Sequence, residues 1–142
     1  MTPSLSVTSA PSPEDLAVVG NNLTAFNEGE VGASNRRPLA VFVRDEAGLI
    51  VAGISGYTGW GWLYVQWLWV GEELRGHGWA GTMLSAAEDE ARVRGCHGAY
   101  IDTFNPVALR TYERAGYKPF GTLPEFPPGR TRTFLQKSLL EA

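Results

Sequence analysis

The sequence predicts an α+β domain built on a mixed, mostly antiparallel sheet. Three strand-like segments follow one another within residues 39–70, and the turns between them are too short for parallel pairing. A helical pattern then leads to a short strand at 98–104, which is the spacing of one βαβ crossover. Another helix and two strands follow, so we expect a three-layer α/β/α sandwich with this crossover at its centre.

One helix is predicted before the sheet. Ser12 and Pro13 supply a hydroxyl N-cap and a first-turn proline, so the helix should run from Pro13 to about Phe26. Its apolar face would carry Leu16, Val19, Leu23 and Phe26. Residues 27–38 are expected to form a polar loop. Residues 1–12 are rich in Ser, Thr and Pro, which is typical of either a loose tail or a short edge strand.

Turn and capping residues give the remaining boundaries. The three-strand meander should turn at 45–48 and at 58–61. Apolar residues at three- and four-residue spacing predict the crossover helix from Gly76 to about Arg94, with Gly95 as its stop.

The C-terminal third follows the same logic. Asn105 before Pro106 should cap the helix after the crossover, which ends at Gly116. The last two strands are expected at 117–123 and 131–139.

Composition favours a single soluble domain over residues 1–142. The chain is 44% hydrophobic and 19% charged, as ordinary globular proteins are, and its formal charge of −3 argues against nucleic acid or an anionic membrane as main partner. No apolar run approaches the ~20 residues of a membrane span, and no secretory signal is recognisable, so we expect a cytoplasmic protein. Cys96 is the only cysteine, which leaves no disulfide or cysteine metal cage, and no metal is predicted.

A glycine-rich turn is the clearest candidate binding site. Gly76, Gly78 and Gly81 stand at the start of the crossover helix, where unpaired N–H groups and the helix dipole attract anions. Glycines also let the backbone approach a diphosphate closely. The turn therefore predicts a phosphate-bearing ligand, and a turn without a ligand is the alternative.

A dinucleotide site is a second alternative for this turn. The glycines spell G-x-G-x-x-G, and Asp102 lies where a ribose-binding acid would stand. Against this interpretation, residues 71–75 separate the strand from the first glycine, and that strand ends an antiparallel meander. No Gly-Lys-Ser/Thr follows, which excludes a P-loop.

Two segments carry motifs of a known family. Arg75, Gly78 and Ala80 fill the pattern Arg/Gln-x-x-Gly-x-Gly/Ala, and "NPVALRTYERAGY" carries a second pattern at Asn105, Ala108, Leu109, Tyr112, Gly116 and Tyr117. The first resembles the pyrophosphate motif, and the second the other hallmark, of the GNAT family of N-acetyltransferases. The motifs stand in the family's order, separated by a helix and a strand, and the predicted elements agree with the GNAT-like acyl-CoA fold from about Leu39 onward.

The resemblance implies an acetyl-CoA-dependent N-acetyltransferase. Its acceptor would be the primary amine of a small molecule or, less readily, of a protein, attacking directly in a ternary complex. A non-catalytic acyl-CoA-binding sensor or interaction domain of the same fold is the alternative. The implied cofactor-binding residues are Leu68, Val70, Arg75, Gly76, His77, Gly78, Trp79, Ala80, Gly81, Asn105 and Tyr112. The turn would take the pyrophosphate, and the main chain of the preceding strand would hold the pantetheine arm.

Tyr112 is implied as the general acid that protonates the leaving thiolate. A phenol titrates near ~10 and a thiol near ~8.5, so this proton transfer would be close to balanced. Packing of the ring on the core is the alternative role. Asn105 similarly has two compatible roles, as a helix cap and as a pantetheine ligand.

The general base is left open by the sequence. Some family members carry a glutamate in the strand before the glycine turn, but "GWLYVQWLWV" has no carboxylate, and Tyr64 and Gln66 stand in its place. A water relay to Glu28, Glu30 or Asp102 is one solution, and a partly neutral substrate amine is another.

Tryptophans crowd the same hairpin. Trp67 and Trp69 should share one strand face, opposite Leu68 and Val70. They either pack on the sheet or, with Tyr64 and Gln66, wall an acceptor pocket for an amine that is partly apolar or cationic. Two arginines near the C-terminus, Arg130 and Arg132, are expected to be exposed surface charges rather than ligands for an acceptor carboxylate. A homodimer is the expected assembly.

Overall fold

The computed structural model describes residues 2–140 and divides the chain into two compact units between Ser34 and Asn35. The first unit contains one helix, α1 (Pro13–Val31). Residues 2–12 form neither helix nor strand, so the short edge strand considered there is not formed. In the described part of the chain, no helix is both long and apolar enough to cross a membrane.

Helix α1 begins as predicted and ends later. The Ser12 hydroxyl accepts a hydrogen bond from the Asp15 N–H at 3.1 Å, which is the expected N-cap. The helix continues past Phe26 to Val31, and the first strand begins at Arg37. The loop prediction was therefore wrong for residues 27–31 and for 37–38. It stops only at Gly32, whose φ of 93° takes the chain out of helical geometry.

The second unit is a six-stranded sheet with two helices. The strand order is β1-β2-β3-β4-β6-β5, and every neighbouring pair is antiparallel except β3 and β4. The elements are β1 (Arg37–Arg44), β2 (Ile50–Gly59), β3 (Trp62–Val70), α2 (Trp79–Val93), β4 (Gly98–Thr103), α3 (Pro106–Arg114), β5 (Lys118–Pro124) and β6 (Thr131–Ser138). This confirms the mixed α+β class and places the crossover β3–α2–β4 in the middle of the sheet.

Both predicted turns of the meander are confirmed. Asp45 Oδ1 accepts from the N–H groups of Ala47 and Leu49, which closes the first turn. Trp60 and Gly61 form the second turn with φ values of 47° and 79°, the left-handed pair that a two-residue hairpin requires.

One face of the sheet packs against α2 and the region of α3. Leu63, Val65, Ala99, Ile101 and Leu135 supply the sheet side of this core, and Met83, Leu84, Ala87 and Ala91 supply the side of α2. Tyr112 of α3 and Tyr117 after it are buried in the same cluster. This packing fixes both helices against the central strands.

Helix α2 starts three residues later than predicted. Glu72–Leu74 form a single 3₁₀ turn, and Gly76 and Gly78 both have φ of 80°. Because a left-handed residue cannot continue a right-handed helix, α2 begins at Trp79. Gly95, with φ of 84°, follows its other end as expected.

The two parallel strands separate near the middle of the sheet. β3 and β4 pair only from Trp62 to Val65, so 66–70 have no partner on β4. The pairing of β3 with β2 also shifts here, because Val65 lies opposite Gly56 while Trp67 lies opposite Ser55. Gln66 is therefore the extra residue of a β-bulge, and bulges bend a strand. The result is an opening between β3 and β4.

Candidate active site

A cavity of about 810 Å³ lies at this opening, between the end of β3, the glycine turn, the start of α2 and α3. Every residue predicted to bind the cofactor lines it except His77. The His77 side chain is exposed and stands between two left-handed glycines, so only its main chain belongs to the turn. The two family-like motifs, about 30 residues apart in sequence, therefore meet around one cavity.

The glycine turn offers open N–H groups and space for an anion. Gly78 caps α2 without any side-chain hydrogen bond, and no acidic residue stands in the first turn of the helix. A Cβ atom at Gly76, Gly78 or Gly81 would meet no atom within 4 Å, so the turn borders open space. Unpaired N–H groups at a helix N-terminus favour a phosphate there. The turn therefore fits the pyrophosphate of an acyl-CoA.

The end of β3 turns one side of its main chain toward the cavity. The Gly71 N–H donates to the Val51 carbonyl of β2 at 2.8 Å. Main-chain direction alternates along a strand, so Leu68 and Val70 direct their N–H and C=O groups away from β2. Arg75 Nε donates to the Val70 carbonyl at 3.0 Å, which ties the turn to the strand. The main chain of Leu68 is left to face the opening.

Asn105 has the structural role that its sequence position predicts. Its Oδ1 accepts from the N–H groups of Val107 and Ala108 at 2.8 and 3.3 Å, so it caps α3. It also lines the cavity. Because the cap uses the oxygen, the amide nitrogen is left to donate to a ligand.

Tyr112 combines both of its predicted environments. Its side chain is 5% exposed and belongs to the core, yet it lines the cavity. Burial, and second the negative charge of Asp102, raise the pKa of Tyr112 to about 12. The near balance expected from an unperturbed phenol is therefore not what the structure gives. The hydroxyl remains protonated across the working pH range and is a weaker acid than a free tyrosine.

The residues predicted to wall an acceptor site lie on the face of β3 opposite Leu68 and Val70, and Trp69 also lines the cavity. Trp67 and Trp69 are 66% and 52% exposed, whereas Leu68 and Val70 pack on the core, as the predicted alternation requires. Gln66 is exposed at the bulge. The two tryptophans thus belong to the part of β3 that has no β4 neighbour.

Trp62 has a different role from these two. Its ring meets those of His97 and Tyr100 edge-on, with centroids 5.3 and 6.1 Å apart. It is a packing residue at the far end of β3, where the strands are still paired.

A polar cluster on the same sheet face was missed by the sequence reasoning. Tyr64 Oη donates to Asp102 Oδ2 at 2.9 Å. Arg132 donates to Asp102 Oδ1 from Nε at 2.9 Å and from Nη2 at 2.6 Å. Arg132 was expected to be an exposed surface charge, and that was wrong, because β6 lies beside β4 and brings the two residues together. No local pattern predicts that pairing across 30 residues.

Of the other two carboxylates considered as distant bases, Glu28 and Glu30, Glu28 is engaged locally. Glu28 Oε2 accepts hydrogen bonds from the N–H and Oγ of Ser34, at 3.0 and 3.2 Å, within the first unit.

Comparison with known proteins decides the family. The model of the GNAT acetyltransferase family matches residues 12–117, which is most of the chain. The protein belongs to the GNAT family. Its members use acetyl-CoA as acyl donor, and the chain is accordingly an acyltransferase. The dinucleotide interpretation of the glycine turn is set aside, and the enzyme is favoured over the non-catalytic binding domain.

Individual GNAT relatives agree with this assignment. The chain is 48% identical over 115 residues to an acetyltransferase of Agrobacterium fabrum, covering 81% of this chain and 84% of the relative. It is 36% identical over 107 residues to a blasticidin-S acetyltransferase of Streptomyces morookaense, covering 72% and 79%. A crystal structure described as an acetyltransferase from Agrobacterium tumefaciens superposes with a TM-score of 0.90 at 41% identity, covering 95% of this chain and 98% of that one.

Proposed function

We propose that this GNAT protein transfers the acetyl group of acetyl-CoA to the primary amine of a small molecule, by direct attack in a ternary complex. The observation that carries the proposal is the single cavity around which the glycine turn, the open main chain of β3, Asn105 and Tyr112 meet. Holding both reactants in one place removes much of the entropic part of the barrier.

Each part of the cavity has one binding role in this proposal. The N–H groups of Gly76–Gly81 bind the pyrophosphate. The main chain of Leu68, the N–H of Val70 and the Asn105 amide bind the pantetheine arm, since the Val70 carbonyl already accepts from Arg75. This order places the thioester at the opening between β3 and β4. The exposed face with Trp67 and Trp69 is then on the side from which an amine arrives.

The protein supplies two of the hydrogen-bond donors that acyl transfer needs. A main-chain N–H of β3 near Leu68 donates to the carbonyl oxygen as the amine nitrogen attacks the carbon and negative charge develops there. Tyr112 donates a hydrogen bond to the sulfur as the carbon–sulfur bond breaks. With a pKa of about 12, Tyr112 is always protonated but is a weaker acid than a thiol near ~8.5. It therefore stabilises the thiolate as it forms rather than driving complete protonation.

The acceptor class is proposed from the exposed aromatic side chains. Trp67 and Trp69 offer flat apolar surfaces that also attract cations, so an amine-bearing molecule with a ring or a cationic group fits them. One relative is named as a blasticidin-S acetyltransferase. Blasticidin S is therefore the first acceptor to test, followed by a panel of primary amines.

Thermal unfolding with acetyl-CoA, CoA or NADH tests the binding half of the proposal. A ligand at about 100 times its dissociation constant stabilises the folded state by about 2.7 kcal/mol, so the midpoint should rise with acetyl-CoA and CoA but not with NADH. Release of free thiol on addition of amines tests the transfer half. Tyr112→Phe should lower kcat and keep the CoA-induced rise. Stabilisation by CoA without turnover of any amine would overturn acetyl transfer.

A further inference from the structure

A proton acceptor for the attacking amine is the part of the reaction that the cavity does not supply. β3 carries no carboxylate, but Tyr64 of β3 is hydrogen-bonded to Asp102 of β4 at 2.9 Å. We propose that Tyr64 and Asp102 form a proton relay that removes the proton from the acceptor amine. This inference rests on the proposed acetyl transfer and names residues that carry out one of its steps.

The position of the pair supports the relay. Val65 and Ile101 are the last paired residues of β3 and β4, and both are buried on the core face. Tyr64 and Asp102 are their chain neighbours, so alternation places them on the other face of the sheet. Asp102 is also the first residue of β4 beyond the part that pairs with β3. The relay therefore stands at the edge of the opening, on the face from which the amine is proposed to arrive.

The proton path conserves atoms and charge. When the new nitrogen–carbon bond has formed, the nitrogen carries a positive charge and an acidic N–H. Tyr64 Oη accepts this proton while its own proton passes to Asp102 Oδ2. The nitrogen becomes neutral, the carboxylate becomes a carboxylic acid, and Tyr64 ends as a phenol again. Water then takes the proton from Asp102.

The environment of Tyr64 favours a concerted proton transfer through its hydroxyl over a step that leaves it as a phenolate. Burial, and second its hydrogen bond to Asp102, raise the pKa of Tyr64 above its usual value of 10.0. Its phenolate is therefore disfavoured, and a step in which one proton enters as another leaves avoids it.

Arg132 is a positioning residue for this relay. Its Nε and Nη2 both donate to Asp102 Oδ1, which leaves Oδ2 for Tyr64. The guanidinium lies over the rings of Phe126 and Phe134, at 4.7 and 5.3 Å from their centroids. These contacts fix the plane of the carboxylate.

Several titratable or charged groups surround the relay. The charge of Asp102 is the second cause, after burial, that raises the pKa of Tyr112 on the core face. The other titratable or charged groups that face the pair are Tyr57 of β2, Tyr100 of β4 and Arg132 of β6, with Arg36 over the Tyr57 ring.

Steady-state kinetics of three variants test the relay. Tyr64→Phe and Asp102→Asn each remove one member, and Tyr57→Phe is the matched control, because its ring meets Tyr64 edge-on at 5.7 Å. Assays use saturating acetyl-CoA with blasticidin S or the best amine of the panel. General-base catalysis contributes about 10²-fold or more, so both relay variants should lower kcat by about that factor. Tyr57→Phe should not.

Two further readouts separate the relay from a structural role. The double variant should have about the same kcat as the slower single variant, because the two substitutions interrupt the same proton path. The loss of kcat should also become smaller as pH rises, because hydroxide then acts as the base. The CoA-induced rise in the unfolding midpoint should be the same as in wild type.

Three results would overturn the relay. Tyr64 would be a packing residue if the kcat of Tyr64→Phe stayed within about twofold of wild type. It would be a binding residue if the substitution raised only the KM for the amine. If Asp102→Asn does not fold, Tyr64→Phe decides alone, since it removes only a hydroxyl. Absence of wild-type turnover with every amine would overturn acetyl transfer and the relay together, whereas an unaffected Tyr64→Phe enzyme overturns the relay only.

Discussion

Lys137 Nζ lies 2.7 Å from Oε1 of Glu88, a carboxylate whose side chain is only 4% exposed. The other oxygen, Oε2, accepts from Tyr117 Oη at 2.8 Å, and Lys137 also donates to the Ala115 carbonyl at 2.8 Å. The pair therefore joins α2, the end of α3 and β6 beside the cavity. Both carboxylate oxygens are satisfied, as a buried charge requires.

Glu88→Ala should lower the free energy of unfolding by about 3 kcal/mol, because it leaves the Lys137 charge and the Tyr117 hydroxyl without their partner. Urea denaturation measures this. Asp89→Ala is the control, since Asp89 pairs with Arg92 at 3.1 Å but is 72% exposed. Its loss should cost less than about 1 kcal/mol. Equal losses in the two variants would contradict the role assigned to Glu88.

Gly56→Ala should damage both stability and cofactor binding. A Cβ atom at Gly56 would collide with the Tyr64 carbonyl oxygen opposite the bulge. Backbone must then shift, and a loss of more than about 2 kcal/mol is expected from urea denaturation. The acetyl-CoA-induced rise in midpoint should fall as well. Gly121→Ala in β5, where a Cβ meets no atom within 4 Å, should stay within about 0.5 kcal/mol of wild type.

Gly78→Ala should separate backbone strain from ligand binding when it is compared with Gly95→Ala. Both positions have left-handed φ, 80° and 84°, and open space around the missing Cβ, so each alanine should cost about 1–2 kcal/mol. Only Gly78 lines the cavity. The midpoint rise with CoA should therefore be lost in Gly78→Ala and kept in Gly95→Ala. If CoA raised the midpoint of Gly78→Ala as much as that of wild type, the proposal that this turn binds the pyrophosphate would be contradicted.

Two tyrosines with raised pKa values predict a loss of stability at alkaline pH. Burial is the first cause that raises the pKa of both Tyr112 and Tyr100 to about 12. The unfolded chain releases these protons near pH ~10, so the folded state binds more protons between about pH 10 and 12 and its stability falls there. Tyr112→Phe should make that fall shallower by up to about 2 kcal/mol, measured by urea denaturation at stepped pH. The same slope in wild type and variant would contradict this.

Local chemistry explains what the sequence predicted well. The Ser12 and Asn105 caps, the Trp60–Gly61 turn and the Gly95 stop each depend on residues within a few positions of one another. The two family-like motifs are local as well. The sequence therefore determined the order of the elements, the α+β class and many of the residues that line the cavity.

Long-range pairing explains what the sequence did not predict. The bulge at Gln66 arises because β3 must pair with β2 on one side while it leaves β4 on the other. The Asp102–Arg132 contact exists because β6 lies beside β4, between β4 and β5. Burial of Tyr112, which weakens it as an acid, also depends on the packed core. The sequence by itself determined which residues form the glycine turn and the α3 motif, because caps, turns and glycine torsions are local. Only the tertiary structure decided which charged and phenolic groups meet at the opening, because strand pairing and desolvation depend on residues far apart in the chain.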